Sequence, residues 1–404
     1  MFPIMPVKRG VTLVELLVVM VIMMVVMGAA FTLFQVTATH EARQQEVLTQ
    51  TQNQRAALYT VARDVRMAGS GLGLVGVDMV QIYVPAEAFD PRIQEAAGWF
   101  KYKGAKNYGV RPIYGANSDT DDKSDTLTIF RTDAEAPKPL GQLKAQFAPA
   151  DGELKLTATN PTLCKGGENS EAKVEPGCTI NNGDILAVAN GTTAVIVQAK
   201  VAPPTDVWEA PGLSGGKTIK IKLGTPTDTI AIGDRFKPGD NLPSGESFPP
   251  GSTVYNLGDI TFVTYQVEVT EQENNKRPPV VRLMANYHDR AGGVVPVAHD
   301  IEDFQVAYYY SAPSQTDLTG PLNADDANFS KIFESADKDE LQIVRAVDLA
   351  VVARTPNKSS LDKNGRPVEV MGHTANVNPY ADQPDGLARR VLTETVQLRN
   401  YGPE

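Results

Sequence analysis

A single acidic side chain, Glu15, interrupts an apolar run near the start of the chain. From residue 11 to residue 34 it is the only ionisable side chain. A carboxylate in hydrocarbon costs about 2.5–3.5 kcal/mol on insertion scales, so it requires a partner and indicates a function. If the chain were cut after Gly10, the new α-amine of Val11 would be a cation four residues from Glu15. This spacing offers an ion pair between the amine of one chain and Glu15 of a neighbouring chain, which would lower the desolvation cost of both groups.

The apolar run is long enough to cross a membrane. Its 24 residues, 11–34, span a hydrocarbon core of about 30 Å as a helix. The run is longer than the apolar core of a cleaved secretory signal, which has about 7–15 residues. Lys8 and Arg9 precede it, so the positive-inside rule places the start of the chain in the cytoplasm and everything after Phe34 outside. Residues 11–34 are therefore predicted as a single transmembrane helix.

The helical pattern continues beyond the membrane segment. Apolar or small positions recur at intervals of three and four, with one gap of seven: Val47, Thr51, Leu58, Ala62 and Val65. No proline interrupts residues 11–68, and Gly69 is a natural stop. The sequence predicts one helix over residues 11–69, whose second half is amphipathic and turns its apolar stripe towards a domain.

After the helix, the sequence is typical of strands and loops. Several segments alternate apolar and polar residues, as residues 263–269 do. The predicted strands are 126–132, 154–158, 185–189, 193–200, 217–223, 261–269, 280–285, 304–310, 346–355 and 393–399. A short acidic stretch, 297–304, is predicted as helical. The fold class is therefore α+β, with the long helix packed on an antiparallel, loop-rich β domain over residues 70–404, which forms either one domain or two subdomains.

Two cysteines, Cys164 and Cys178, bracket a loop that the predicted topology places outside the cytoplasm. We predict a disulfide between them, the alternative being two free buried thiols. A ring of about 15 residues would stabilise the folded chain by about 3 kcal/mol on the chain-entropy model. No CxxC motif is present, and two cysteines alone do not form a zinc site.

The sequence offers no coherent catalytic set. The GxGxxG pattern at 71–76 follows a helix instead of a strand, and the GxSxG pattern at 212–216 lies among prolines and leads into a strand. The four histidines show no metal-binding spacing. We therefore predict that the chain is not an enzyme and has no metal site and no cofactor. The acidic stretch 119–125 lacks the glycine and glutamate of an EF-hand, so it is interpreted as a solvated loop, with a looser calcium site as the alternative.

The net charge of −10 excludes some partners. A nucleic-acid-binding surface would need a basic face, so no direct contact with nucleic acid is expected. Anionic lipid would not attract such a chain in general, so its link to a membrane depends on the apolar segment.

The residues around Glu15 resemble a known signal. The stretch Arg9-Gly10-Val11-Thr12-Leu13-Val14-Glu15-Leu16-Leu17 is similar to the class III signal of type IV prepilins and pseudopilins. In that superfamily a prepilin peptidase cuts after the glycine and methylates the new amino terminus, and the glutamate five residues after the cut serves in filament assembly. The resemblance implies that residues 1–10 are a leader, that cleavage separates Gly10 from Val11, that Val11 is methylated, and that Glu15 is the assembly glutamate. The chain departs from the family at Val11, where phenylalanine is usual.

Further stretches resemble the minor pilins of the PilW type. They follow the family's order along the chain: 62–69, 124–129, 182–188, 297–304, 344–351 and 389–400. The resemblance implies a minor pilin that helps to initiate type IV pilus assembly near the tip. A pseudopilin of a type II secretion or DNA-uptake system is the alternative, and a membrane-tethered periplasmic enzyme is a third hypothesis.

The same resemblance implies partners and a location. The expected partners are other minor and major pilins, the prepilin peptidase and the inner-membrane assembly platform, with a tip adhesin as a further candidate. The expected location is the inner membrane, crossed once with a cytoplasmic amino terminus, and later the pilus at the cell surface.

Overall fold

A computed structural model of the chain provides the architecture. It describes residues 12–70, 82–83, 112–116, 124–132, 138–148, 153–158, 184–191, 193–199, 218–222, 247–258, 260–270, 280–287, 293–311, 319–323, 343–355, 368–370, 373–375 and 389–398. The chain divides into two compact units, Met1–Gln52 and Asn53–Glu404.

One long helix, α1, covers Leu13–Arg66. By length and composition it includes one segment able to cross a membrane. Within the second unit, the helix buries a stripe at helical spacing: Ala57, Leu58, Val61, Ala62 and Val65. The helix is followed by Gly69, which has a φ of +67° and donates its N–H to the carbonyl of Phe130 at 2.8 Å. A left-handed glycine of this kind is a common helix terminator, as the sequence predicts.

Eighteen strands are described after α1. They are β1 (Ile82–Tyr83), β2 (Ile113–Ala116), β3 (Thr126–Thr132), β4 (Lys138–Leu143), β5 (Glu153–Ala158), β6 (Ile185–Ala189), β7 (Ala194–Gln198), β8 (Thr218–Lys222), β9 (Thr253–Gly258), β10 (Ile260–Thr270), β11 (Val280–Tyr287), β12 (Gly293–His299), β13 (Ile301–Ser311), β14 (Thr319–Asn323), β15 (Ile343–Arg354), β16 (Val368–Val370), β17 (His373–Ala375) and β18 (Arg389–Gln397).

These strands form three larger sheets and one hairpin. The seven-stranded sheet has the order β1-β7-β6-β9-β4-β5-β8, and only its β1–β7 pair is parallel. The five-stranded sheet has the order β12-β11-β10-β3-β2, and the four-stranded sheet has the order β14-β13-β15-β18. Both are antiparallel, as is the hairpin β16-β17. The predicted α+β class is confirmed.

Two hydrophobic clusters lie on opposite faces of the seven-stranded sheet. In β6, Ile185 and Ala187 belong to the larger cluster, which also contains the buried stripe of α1 and side chains from the other two large sheets. The alternate residues Leu186 and Val188 belong to the second cluster. Successive side chains of a strand point to opposite faces, so a strand buried throughout its length joins the two clusters.

The strand predictions agree with the structure, but the predicted helix at 297–304 is wrong. All ten predicted segments contain strands. Residues 297–304 instead form the end of β12 and the start of β13, joined at Asp300, which has a φ of +59°. A register shift between Ile301 and Asp303 places Ile301 and Phe304 in the same core although they are three residues apart. Because of this bulge, core residues of the strand are three positions apart in the sequence, a spacing that is typical of a helix.

Candidate assembly interface

Glu15 takes part in a capping box at the start of α1. Thr12 donates its backbone N–H and its hydroxyl to Glu15 Oε2, each at 3.1 Å. The backbone N–H of Glu15 in turn donates to the Thr12 hydroxyl at 3.3 Å. Such a reciprocal pair satisfies donors that a helix start leaves without partners. The role of Thr12 did not emerge from the sequence, although the pattern Thr-x-x-Glu before an apolar run could have revealed it.

The helix surface after Glu15 is apolar and exposed. Large side chains from Leu13 to Phe34 are all more than half exposed, with Leu13 at 79% and Met24 at 72%. Exposed apolar surface of this extent marks a segment that contacts lipid or a protein partner. Gly10 and Val11 lie outside the described residues, so the cleavage and methylation sites stay predictions.

The last turn of α1 carries a fully buried acid, Asp64. The Tyr265 hydroxyl of β10 donates to Asp64 Oδ2 at 2.8 Å. Arg131 of β3 lies 3.3 Å from Oδ1, and the neighbouring Arg63 lies 3.1 Å from the same oxygen. Burial raises the pKa of Tyr265 above its usual range, and the negative charge of Asp64 adds to that shift. The cluster fastens the end of the helix to two strands of the five-stranded sheet.

A second set of polar contacts ties α1 to the four-stranded sheet. The buried Gln54 donates Nε2 to the carbonyl oxygens of Arg390 at 2.6 Å and Val351 at 3.4 Å. Three turns later, Arg66 Nη2 donates to Glu394 Oε1 at 2.7 Å. The helix from Asn53 to Arg66 is therefore held at both ends by β18.

The five-stranded and four-stranded sheets are also joined by polar contacts. Ser124 donates its hydroxyl to Asp303 Oδ1 at 2.9 Å. Asp125 accepts the N–H of Val306 at 2.8 Å and donates its own N–H to the Phe304 carbonyl at 2.8 Å. Burial raises the pKa of Asp303, although hydrogen bonds from Gln305 and Ser124 act in the opposite direction. These contacts hold the start of β3 against β13.

Two family models match the chain. One, described as type IV pilus-assembly protein W, matches residues 265–400. The other, described as a prokaryotic N-terminal methylation motif, matches residues 5–31. The chain is type IV prepilin-like, with a PilW-type carboxyl-terminal part. No curated protein and no solved structure matches it.

The methylation-motif match in this prepilin-like chain spans the predicted cleavage residues Gly10 and Val11, of which Val11 is also the predicted methylation site, and the predicted assembly residue Glu15. The PilW-type part begins at Tyr265, the partner of Asp64, and includes β11 to β18. The model that matches residues 265–400 describes a pilus-assembly protein, which points to a structural role.

Several of the PilW-like stretches contain polar residues whose hydrogen bonds and ion pairs connect elements of the fold. The stretch 62–69 contributes Asp64, and 124–129 contributes the contacts of Ser124. The stretches 297–304 and 389–400 meet where Arg389 donates Nε and Nη2 to the buried carboxylate of Glu302, at 2.5 Å and 2.9 Å. Bidentate pairs of this kind fix the geometry of the elements that carry them. These four stretches of the prepilin-like chain therefore position its elements.

Some predicted sites of the prepilin-like chain are not tested by the structure. Cys164 and Cys178 lie outside the described residues, so the disulfide stays a prediction. The acidic residues 119–123 lie outside them as well, so the calcium alternative also stays open. Within the part of the chain that is described, no three His, Cys, Asp or Glu side chains converge on a position that could hold a metal ion.

Proposed function

We propose that the chain is a minor pilin that helps to initiate type IV pilus assembly near the filament tip. The observation that carries the proposal is the combination of two parts in one chain. An exposed apolar helix begins at Leu13, with Glu15 in its capping box and within a methylation-motif match, and a PilW-type β part follows. The size of the chain, 404 residues, is large for a subunit that must pack in many copies and supports a low-copy role.

The proposed mechanism depends on Glu15. The helix first crosses the inner membrane once, with its amino terminus in the cytoplasm, and the prepilin peptidase cuts between Gly10 and Val11 and methylates Val11. Both Thr12 bonds go to Oε2, and among the described residues Oε1 accepts no hydrogen bond, so it can accept one from another chain. On extraction into the filament, Glu15 pairs with the Val11 amine of a neighbouring pilin, and each group lowers the desolvation cost of the other.

The partners follow from this mechanism. The helix binds other minor and major pilins, and the inner-membrane assembly platform moves it out of the membrane. The β part is presented at the cell surface, where a tip adhesin is a candidate partner. A pseudopilin of a secretion or DNA-uptake system would share the helix and Glu15, but the PilW-type part favours the pilus.

The test compares Glu15→Val with Glu41→Val. Both acids lie on α1 and are exposed, but only Glu15 lies in the apolar segment. We expect Glu15→Val to leave a processed, stable protein in the membrane and to lower the number of pili severalfold, and Glu41→Val to leave that number unchanged. Electron microscopy counts the pili, and mass spectrometry of sheared pili identifies the mature amino terminus.

Normal piliation in the Glu15→Val strain would overturn the proposal. Loss of protein secretion or DNA uptake on deletion of the chain, with pili and twitching unaffected, would favour the pseudopilin.

A further inference from the structure

Among the described strands, β18 is outermost in the four-stranded sheet, and its long, regular outer edge pairs with no other described strand. Its nine residues pair with β15 in an unbroken register from Arg389↔Arg354 to Gln397↔Ala346. Among the described residues no strand pairs with the other side of β18, and β16 lies near it without pairing.

The register shows which backbone groups face outward. The N–H of Leu398 donates to the carbonyl of Arg345 at 2.9 Å, so this opposed pair is a hydrogen-bonded one. In an antiparallel ladder hydrogen-bonded pairs alternate with pairs whose backbone groups point away from each other. From Val391 onwards, the residues of β18 whose N–H and C=O point away from β15 are therefore Val391, Thr393, Thr395 and Gln397.

The other sheet edges of the described chain carry features that prevent strand addition. The edge strand β1 has two residues and β2 has four, while β8 carries Lys220 and Lys222. The edge strands β12 and β14 contain Pro296 and Pro321, and each pairs with its neighbour through a register shift. Short length, lysine, proline and bulges are the usual protections of exposed edges. From Val391 to Gln397, β18 has none of them.

The side chains along the edge suit recognition through the backbone. Thr393, Thr395 and Gln397 are exposed and uncharged. Nearby charges are already paired within the chain, since Glu394 binds Arg66, and Asp348 accepts hydrogen bonds from Tyr309 and Thr395. An incoming segment would need no particular charge, only an extended backbone.

The position of β18 indicates where this segment comes from. Gln54 and Arg66 of α1 both contact β18, so this strand packs against the second part of the helix through which, in the proposed function, the chain assembles. We propose that the edge from Thr393 to Gln397 accepts one β-strand of a neighbouring pilin-like subunit that is not a second copy of this chain, in the mode of strand addition. The inference rests on the proposed function, because that function places such subunits next to α1.

The test replaces one outward-facing N–H. Thr393→Pro removes a donor of the free edge but none that bonds β15, and proline is tolerated at such edge positions. Thr393→Val is the matched control, because it keeps the N–H and the shape of the side chain. Both full-length variants should retain the thermal unfolding midpoint of the wild type.

The readout is made in piliated cells. A photo-crosslinking amino acid in place of Gln397 should attach to another pilin-like chain, and the same amino acid in place of the exposed Gln142 of β4 should not. We expect Thr393→Pro to remove this crosslink and to lower recovery of the chain in sheared filaments about tenfold, the effect of losing one or two backbone hydrogen bonds. Thr393→Val should change neither.

Several results would overturn the inference. They are a crosslink to a second copy of this chain or to a protein that is not pilin-like, no crosslink from position 397 above that from position 142, and unchanged crosslinking with Thr393→Pro. If the wild-type chain is found in filaments while Thr393→Pro has no effect, only the edge proposal fails. If the wild-type chain is absent from filaments, the proposed function fails with it.

Discussion

The two parts of α1, residues 13–34 and 53–66, differ in burial and in hydrogen bonding. From Leu13 to Phe34 the large apolar side chains are exposed, and the polar contacts are local, such as those between Thr12 and Glu15. From Asn53 to Arg66 the helix buries its small and apolar residues and bonds to strands hundreds of positions away in the chain. The described hydrogen bonds of the first part join residues that are close in the sequence, and its apolar side chains are available to lipid and to other chains. The second part is a component of the β domain.

In the proposed mechanism, this difference would allow the helix to leave the membrane without unfolding the domain. Stability that comes from burial and buried hydrogen bonds belongs to the second part, so a change there should affect the whole β domain. A change in the first part should alter assembly and leave the unfolding of the β domain unchanged.

The largest expected effect is on the buried acid of the second part. Asp64→Ala leaves the Tyr265 hydroxyl and the Arg131 guanidinium without their shared partner, which should lower the free energy of unfolding by about 3 kcal/mol. Urea denaturation followed by circular dichroism measures the change. Arg55→Ala, at an exposed position of the same helix, is the control and should be neutral. An Asp64→Ala protein as stable as the control would contradict the assignment of the second part to the β domain.

A smaller effect is expected from the titration of Tyr265. The pKa of this phenol is raised in the folded state, so its contribution to stability is complete below about pH 10, the pKa of an exposed tyrosine, and declines as the pH rises further. The slope from one such group is at most about 1.4 kcal/mol per pH unit.

Tyr265→Phe should lower this slope between about pH 10 and pH 11, because one group no longer titrates differently in the two states. Chemical denaturation at several alkaline pH values measures it. Tyr59→Phe, which removes an exposed hydroxyl of the helix, is the control. Equal slopes in the two variants would show that the Tyr265 phenol is not shielded by burial.

These sites differ in how far the sequence could predict them. Glu15 and the apolar run can be identified from the sequence because their role depends on neighbouring residues, and local patterns predict ten of the eighteen described strands. Asp64 and Gln54 lie among polar residues on a helical pattern, which are normally assigned to solvent. Their burial depends on partners such as Tyr265, 201 positions away from Asp64, which no local pattern can reveal. The bulge at Ile301 could not be predicted for the same reason, because the register of β13 is set by its pairing with the distant strand β15.

The smallest expected effect on stability lies in the first part of the helix, at Thr12. Thr12→Val removes the hydroxyl that bonds Glu15 Oε2 and the N–H of Glu15, at a local cost of about 1 kcal/mol typical of a lost helix cap. The unfolding of the β domain should not change, because those bonds lie within Thr12–Glu15.

In the Thr12→Val variant, pilus number should fall modestly and by less than with Glu15→Val, since the carboxylate is still present but held by the Thr12 N–H alone. Thr12→Ser keeps the hydroxyl and should assemble as the wild type does. A lower denaturation midpoint of the β domain in Thr12→Val would show that the two parts of the helix are coupled, and the contrast between them would then be wrong.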